Sequence, residues 1–190
     1  MTHINNRQKK GISVVLTTLI IVVASVVLGT AVTLFGTSLF QTGAQNQGMS
    51  VTNSHLWFTS SSYTEGAAAV RNTGDKLIAV DNIKVRGGIV PFANWAYVPS
   101  TDANIVALAQ SQLVNCGDIP TTLTCDIDGA TPAETLIASG PVSLDPGKTV
   151  IVYFKVPNGL ITAADIGASA TMTIQAGQIT SVQSVSVAQP

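Results

Sequence analysis

From Ile12 to Phe40 every position is apolar or is Gly, Ser or Thr, and no charged or amide side chain interrupts the run. As an α-helix rising ~1.5 Å per residue the run exceeds ~40 Å, against a bilayer hydrocarbon core of ~30 Å. The pattern predicts a helix that spans a membrane with length left over. Its β-branched residues Ile20, Ile21, Val22, Val23, Val26 and Val27 lower helix propensity in water, but in lipid the backbone must bond to itself, and helix is the form that does so. Ser25, Gly29, Thr33 and Thr37 recur at four-residue intervals, with Gly36 beside them. They form a ridge of small residues on one helical face, of the kind that lets helices approach closely where hydrophobic drive is absent. A secretory signal has an apolar region of only ~7–15 residues followed by a small-x-small cleavage site. Here "FQTGAQNQG" is a poor version of such a site, which argues against release by an ordinary signal peptidase.

Polar positions return at "TGAQNQG", Thr42 to Gly48, which reads as the helix end and a short linker. From Met49 the spacing becomes that of strands. "MSVTNSHLWF" places Met49, Val51, Leu56 and Phe58 among polar residues in rough alternation. "AAAVRNTGDKLIAVDNIKVRGG" reads as strand, turn, strand, with Asn72 to Asp75 as the turn and a break in the second strand at Asp81-Asn82. "TVIVYFKV", Thr149 to Val156, predicts a buried strand introduced by the turn "DPGK", Asp145 to Lys148. "SATMTIQAG" and "ITSVQSVSV" predict a hairpin, "NIVALAQSQLV" a short helix or a strand, and the Ser/Thr-rich "FTSSSYT" a loop. The expected fold class is α+β: a long N-terminal hydrophobic helix followed by an antiparallel, immunoglobulin-like or related β-sandwich head.

Composition sharpens this division. The chain of 190 residues is 46% hydrophobic and only 10% charged, and no charged side chain lies between Lys10 and Glu65. The net charge of -1 hides an asymmetry: three of the nine Lys and Arg precede the helix, while all ten Asp and Glu follow it. Without Arg7, Lys9 and Lys10 the acids outnumber the bases, which argues against a nucleic-acid partner requiring clustered cations. The sparse charge also fits a surface covered by neighbours or glycans better than that of a soluble monomer.

"KKG" followed directly by "ISVVLTTLIIVVASVVLGTAVTLFG" resembles the class III signal peptides and N-terminal helices of the archaeal type IV pilin and archaellin superfamily. "VRNTGDKLIAVDNIKV" looks like the paired strands of their heads. The resemblance implies that a membrane-embedded aspartyl prepilin peptidase recognises Lys9, Lys10 and Gly11 and cuts after the glycine, leaving Ile12 as the new N-terminus and the helix in place. It implies the divisions 1–11 as signal peptide, 12–42 as assembly or transmembrane helix, 43–48 as linker and 49–190 as head. The leader's cations keep that end cytoplasmic until it is removed. Where the best-known form of the family has a glutamate at the fifth mature position, this chain has Leu16. No ion pair with a neighbour's amine can form there, so register rests on helix packing, and an archaeal pilin or archaellin is favoured over a bacterial type IV pilin.

Other candidate chemistry is sparse. Cys116 and Cys125 bracket "GDIPTTLT". In a head outside the cell, a disulfide closing this loop is expected to contribute ~2–3 kcal/mol, with free buried thiols or a metal site as alternatives. The pair has no accompanying histidine pair and is not a CxxC motif. In "CDIDG", Asp126 and Asp128 could face one side of a turn toward calcium, but the rest of an EF-hand is missing and solvated turn aspartates are the default. His3 precedes the helix and His55 stands alone beside Trp57, so neither a metal pair nor a catalytic triad is signalled. Trp57, Trp95 and Tyr97 could stack on sugars, though core packing is their commoner fate. Phosphate-binding glycine patterns and N-x-S/T sequons are absent.

The expected function is therefore structural, with no catalytic residue, cofactor or metal: a pilus subunit for adhesion or surface attachment. Its partners are copies of itself, the prepilin peptidase and assembly machinery, and the membrane before assembly. An archaellin of a motility filament is disfavoured by the lack of an acid near the helix start. A membrane-tethered binding protein is disfavoured by a head of about 140 residues without evident cleft residues, and nothing beyond export supports a secreted enzyme.

Overall fold

The structure, a computed structural model, describes residues 6–43, 47–127 and 134–190, with side chains except those of residues 6–12 and 39–43. The chain divides into two compact units, Met1–Gln45 and Asn46–Pro190. The first contains one helix, α1 (Asn6–Gly43). The second contains β1 (Met49–Ser60), β2 (Tyr63–Asn72), β3 (Ile78–Val85), β4 (Gly88–Ile89), β5 (Trp95–Val98), the helical turn α2 (Ile105–Leu108), β6 (Thr124–Cys125), β7 (Glu134–Thr135), β8 (Ile137–Ala138), β9 (Val142–Leu144), β10 (Thr149–Lys155), β11 (Ser169–Ala176) and β12 (Ile179–Ala188).

The fold is α+β: an apolar helix, then a strand-rich unit whose main sheet runs β4-β3-β11-β12-β1-β2-β10-β5-β8, with β9 added beside β3. Two independent sheets of a sandwich do not form. β1 and β12 pair in parallel through Leu56–Val187 and Trp57–Ala188, and this seam joins the halves into one curled sheet, a half-barrel. The expected hairpin is β11–β12, in register from Ser169–Ser186 to Ala176–Ile179.

β2 and β3 are both strands, but they are not paired with each other. β2 lies between β1 and β10, and β3 pairs with β11, β4 and β9. Asn72 explains the difference. Fully buried, it donates from Nδ2 to the carbonyls of Lys76 (2.7 Å) and Leu144 (2.9 Å) and accepts the Gly74 N–H (3.0 Å). These bonds carry the chain across from one half of the curl to the other instead of turning it back on itself. The break at Asp81-Asn82 is a bulge: Asn82 faces Gln175, Val80 faces Ala176, and Asp81 is the extra residue.

The curl encloses one core, in which Leu56, Ala68, Val70, Val152, Phe154 and Trp95 meet Val80, Ile83, Val85, Met172, Ile174 and Val185. A second core lies on the other face of β2 and β10. There Ala67, Ala69, Ile151 and Tyr153 are covered by Ile105, Leu108, Leu113, Ile119, Ile127 and Leu136 from the long excursion after β5. β2 and β10 are thus buried on both faces, so β10 reads as a continuous hydrophobic run with no polar alternation. Gly66 permits this tight layering. A Cβ at that position would run into the Phe154 ring and lie 2.9 Å from Leu56 Cδ2.

Candidate functional site

The helix is the first candidate. From Val14 to Phe35 its large apolar side chains are exposed on every face, from 56% at Val23 to 74% at Phe35. A helix that packs on its own domain shows one apolar stripe, whereas one apolar all round requires lipid or other helices. The segment Ser13–Ser38 contains an 18-residue window of mean hydropathy 2.5 and is long enough to cross a membrane.

Its hydroxyls bond to the helix itself. Ser25 Oγ donates to the Ile21 carbonyl (2.7 Å), Thr33 Oγ1 to Gly29 (3.1 Å) or Thr30 (2.9 Å), and Thr37 Oγ1 to Thr33 or Leu34 (both 3.0 Å). The ridge can therefore enter an apolar environment without an unmet donor. Ser25, Gly29, Thr33 and Thr37 share a face, and nothing lies within 4 Å of a Cβ built on Gly29 or Gly36. Lys9, Lys10, Gly11 and Ile12 fall on the α1 backbone, with their side chains outside the described residues.

In the head, Cys116 and Cys125 sit at disulfide distance, their Cα atoms 5.2 Å apart. Asp126 follows β6, while Asp128 lies outside the described residues. Among the described residues no three His, Cys, Asp or Glu side chains converge as a metal site. His55 stacks on Trp57 with ring centroids 5.3 Å apart, and its Nε2 is 3.1 Å from Asn53 Oδ1. Trp57 is buried in the second core and Trp95 in the first, where its indole N–H donates to the Val90 carbonyl (3.1 Å). Tyr97 packs half-buried against the first core, so the three rings form no common sugar platform. Two open hollows of about 510 and 590 Å³ share Ser50 and Arg71 at their border.

Sequence reasoning passed over a buried acid. Glu65, near the start of β2, is fully buried beneath the loop that the cysteines close. The Cys116 N–H donates to its carboxylate, 3.1 and 3.0 Å from the two oxygens. Burial pushes the Glu65 carboxyl up to about 8, against the opposing effect of the Cys116 and Gly117 N–H groups and the Tyr63 hydroxyl. Tyr63 in turn accepts the Ile119 N–H (3.2 Å). Lys155, in register with Glu65 on β10, pairs instead with Asp118 at 3.1 Å and lies 5.1 Å from the Tyr63 ring centroid. The sequence signal was slight: Glu65 is the first charge after Lys10 and opens "EGAAAV", a small-residue run without polar alternation.

In comparison with known proteins, the chain matches no protein family, and no curated protein matches it.

Proposed function

We propose that the chain is a structural subunit, a pilin, of an extracellular archaeal type IV pilus-like filament that serves adhesion or surface attachment. The observation that carries the proposal is the charge-free, all-round apolar helix set directly behind "KKG". In this reading, removal of residues 1–11 leaves Ile12 at the N-terminus. The helix first anchors the subunit in the membrane and then packs among copies of itself, with the head as the outer layer. The half-barrel is read as an elaborated immunoglobulin-like sandwich, its halves facing each other across the first core.

Burying such a helix removes on the order of 1,500–2,000 Å² of apolar surface, worth tens of kcal/mol relative to water at ~25 cal/mol/Å². Relative to lipid that gain largely vanishes, so close packing along Ser25, Gly29, Thr33 and Thr37, together with head contacts, decides assembly. Extraction from the membrane then falls to dedicated machinery driven by an ATPase.

The test is expression with the matching prepilin peptidase and assembly machinery, followed by electron microscopy of cell-surface material. Filaments that contain this chain, and that disappear when Gly11 is replaced by a bulky residue, are the expected result. A monomeric ectodomain on the cell surface with no polymer would refute the proposal.

A further inference from the structure

We propose that the hollow of about 510 Å³ where β1, β2 and β10 meet α2 is a binding site for a carboxylated sugar, a hexuronate, whose carboxylate pairs with Arg71. The inference does not depend on the filament reading. It begins with strand register. Arg71 on β2 lies opposite Ser50 on β1 and Thr149 on β10, so the three side chains form one row across three strands. Side chains alternate along a strand, and the row two residues away, with Ala69 and Ile151, belongs to the second core. The polar row therefore sits on that same face, where the apolar packing stops.

This row differs from a solvated sheet end in that its polar atoms are left unused beside a hollow. Among the described residues the Arg71 guanidinium has neither a hydrogen-bond acceptor nor an acid, and the Ser50 and Thr149 hydroxyls have no partner. Thr149 is only 6% exposed, yet its hydroxyl is not sealed off from the hollow that the residue lines. A hydroxyl so placed costs free energy unless a group in the hollow bonds to it. The facing wall is held in place. Asn53 Nδ2 donates to the Ser111 carbonyl and to the Ala109 carbonyl (3.3 Å). These bonds tie the segment after α2 to β1, and with it Gln110, which also lines the hollow.

The chemistry of the walls selects the ligand. Arg71 is the one charged residue lining this hollow, and its planar fork suits a carboxylate held by two parallel N–H bonds. The adjoining hollow also contains Asp75, which repels an anion, so the carboxylate is held from the first side. Ser50, Thr52, Thr149 and Gln110 bring groups that both donate and accept, as sugar hydroxyls require. An acidic peptide finds no free main-chain edge beside Arg71, because β2 is paired on both sides at this row. A volume of about 510 Å³ falls within the ~300–1,000 Å³ usual for small-ligand sites.

The test is saturation-transfer NMR on the full chain in amine-oxide micelles, with D-glucuronate, D-glucose and acetate as probes. Glucuronate is expected to bind with a Kd of ~1 mM, and glucose and acetate each at least ~10-fold more weakly. Arg71→Gln is expected to weaken glucuronate at least ~10-fold, and Thr149→Val, which removes the hydroxyl and keeps the shape, by ~3-fold or more. No glucuronate binding up to ~20 mM, equal binding by acetate, or glucuronate binding that Arg71→Gln leaves intact overturns the proposal. A measurement on the wild type alone covers the case of a variant that does not fold. Glucuronate, but not glucose, is expected to slow modification of Arg71 by phenylglyoxal, read by peptide mass spectrometry. An unchanged rate overturns the assignment.

Discussion

Glu65 carries an energetic consequence for the head as a whole. Its carboxyl is held up near 8 in the fold by burial, against 4.5 when unperturbed. A raised acid binds its proton more tightly in the folded than in the unfolded chain. Its contribution is therefore fully present below about 4.5 and is lost as pH rises through about 8. The loss is on the order of 3–5 kcal/mol. Urea unfolding of the full chain in micelles, followed by near-ultraviolet circular dichroism, should show stability falling between pH 5 and 8, with Glu65→Gln removing most of the slope. Asn72 is the complementary case of a satisfied polar group. Asn72→Ala leaves the Lys76 and Leu144 carbonyls without their donor and should cost ~2–3 kcal/mol in the same experiment. Gly66→Ala should cost about 2 kcal/mol or more, because the Phe154 ring occupies the space a methyl needs. None of these three roles was legible in the sequence. Asn72 reads as an ordinary turn residue and Glu65 as an ordinary strand charge, since what buries them arrives from segments far along the chain.

At the scale of elements, the local signals were clear and the pairings were not. α1 was legible from its length and lack of charge. β10 was legible from its unbroken apolar run, the turn before it from "DPGK", and β11–β12 from two strand patterns joined by a glycine turn. The Lys148 N–H donates to the Asp145 carbonyl (3.1 Å) with Gly147 at φ 73°, as a proline-glycine turn demands. The separation of β2 from β3 escaped because strand partners follow from the cores that strands share, and proximity in sequence does not fix them. The disulfide loop is the element whose removal is most easily measured. Replacing both Cys116 and Cys125 with Ser should lower stability by ~2–3 kcal/mol, since the link closes a loop of sequence separation 9. On α1, Gly29→Leu fills the one ridge position that has no side chain. Under the proposed function it should abolish polymer formation while leaving membrane insertion intact, as read by fractionation and electron microscopy of the same cells.

At the scale of the molecule, the charge distribution and the helix address the same problem. Arg7, Lys9 and Lys10 lie ahead of a long apolar segment, and every acid follows it. Under the proposed function, before processing the cations oppose passage of that end through the membrane. Between Ile12 and Thr64 the chain carries no formal side-chain charge. In the proposed filament the helix carries no side-chain ion pair to set its register, and Leu16 in place of an acid leaves the fit of small against large side chains to do so. The head has two cores, one within the curl and one under the loop between Cys116 and Cys125. The central claim is that the leader is disposable and the helix is not. The most direct measurement is the N-terminus of the mature protein, by mass spectrometry of the chain isolated from its native cell surface. The account predicts that the mature chain begins at Ile12 with the helix attached. An intact leader, or a chain that begins near Gly48, would contradict it.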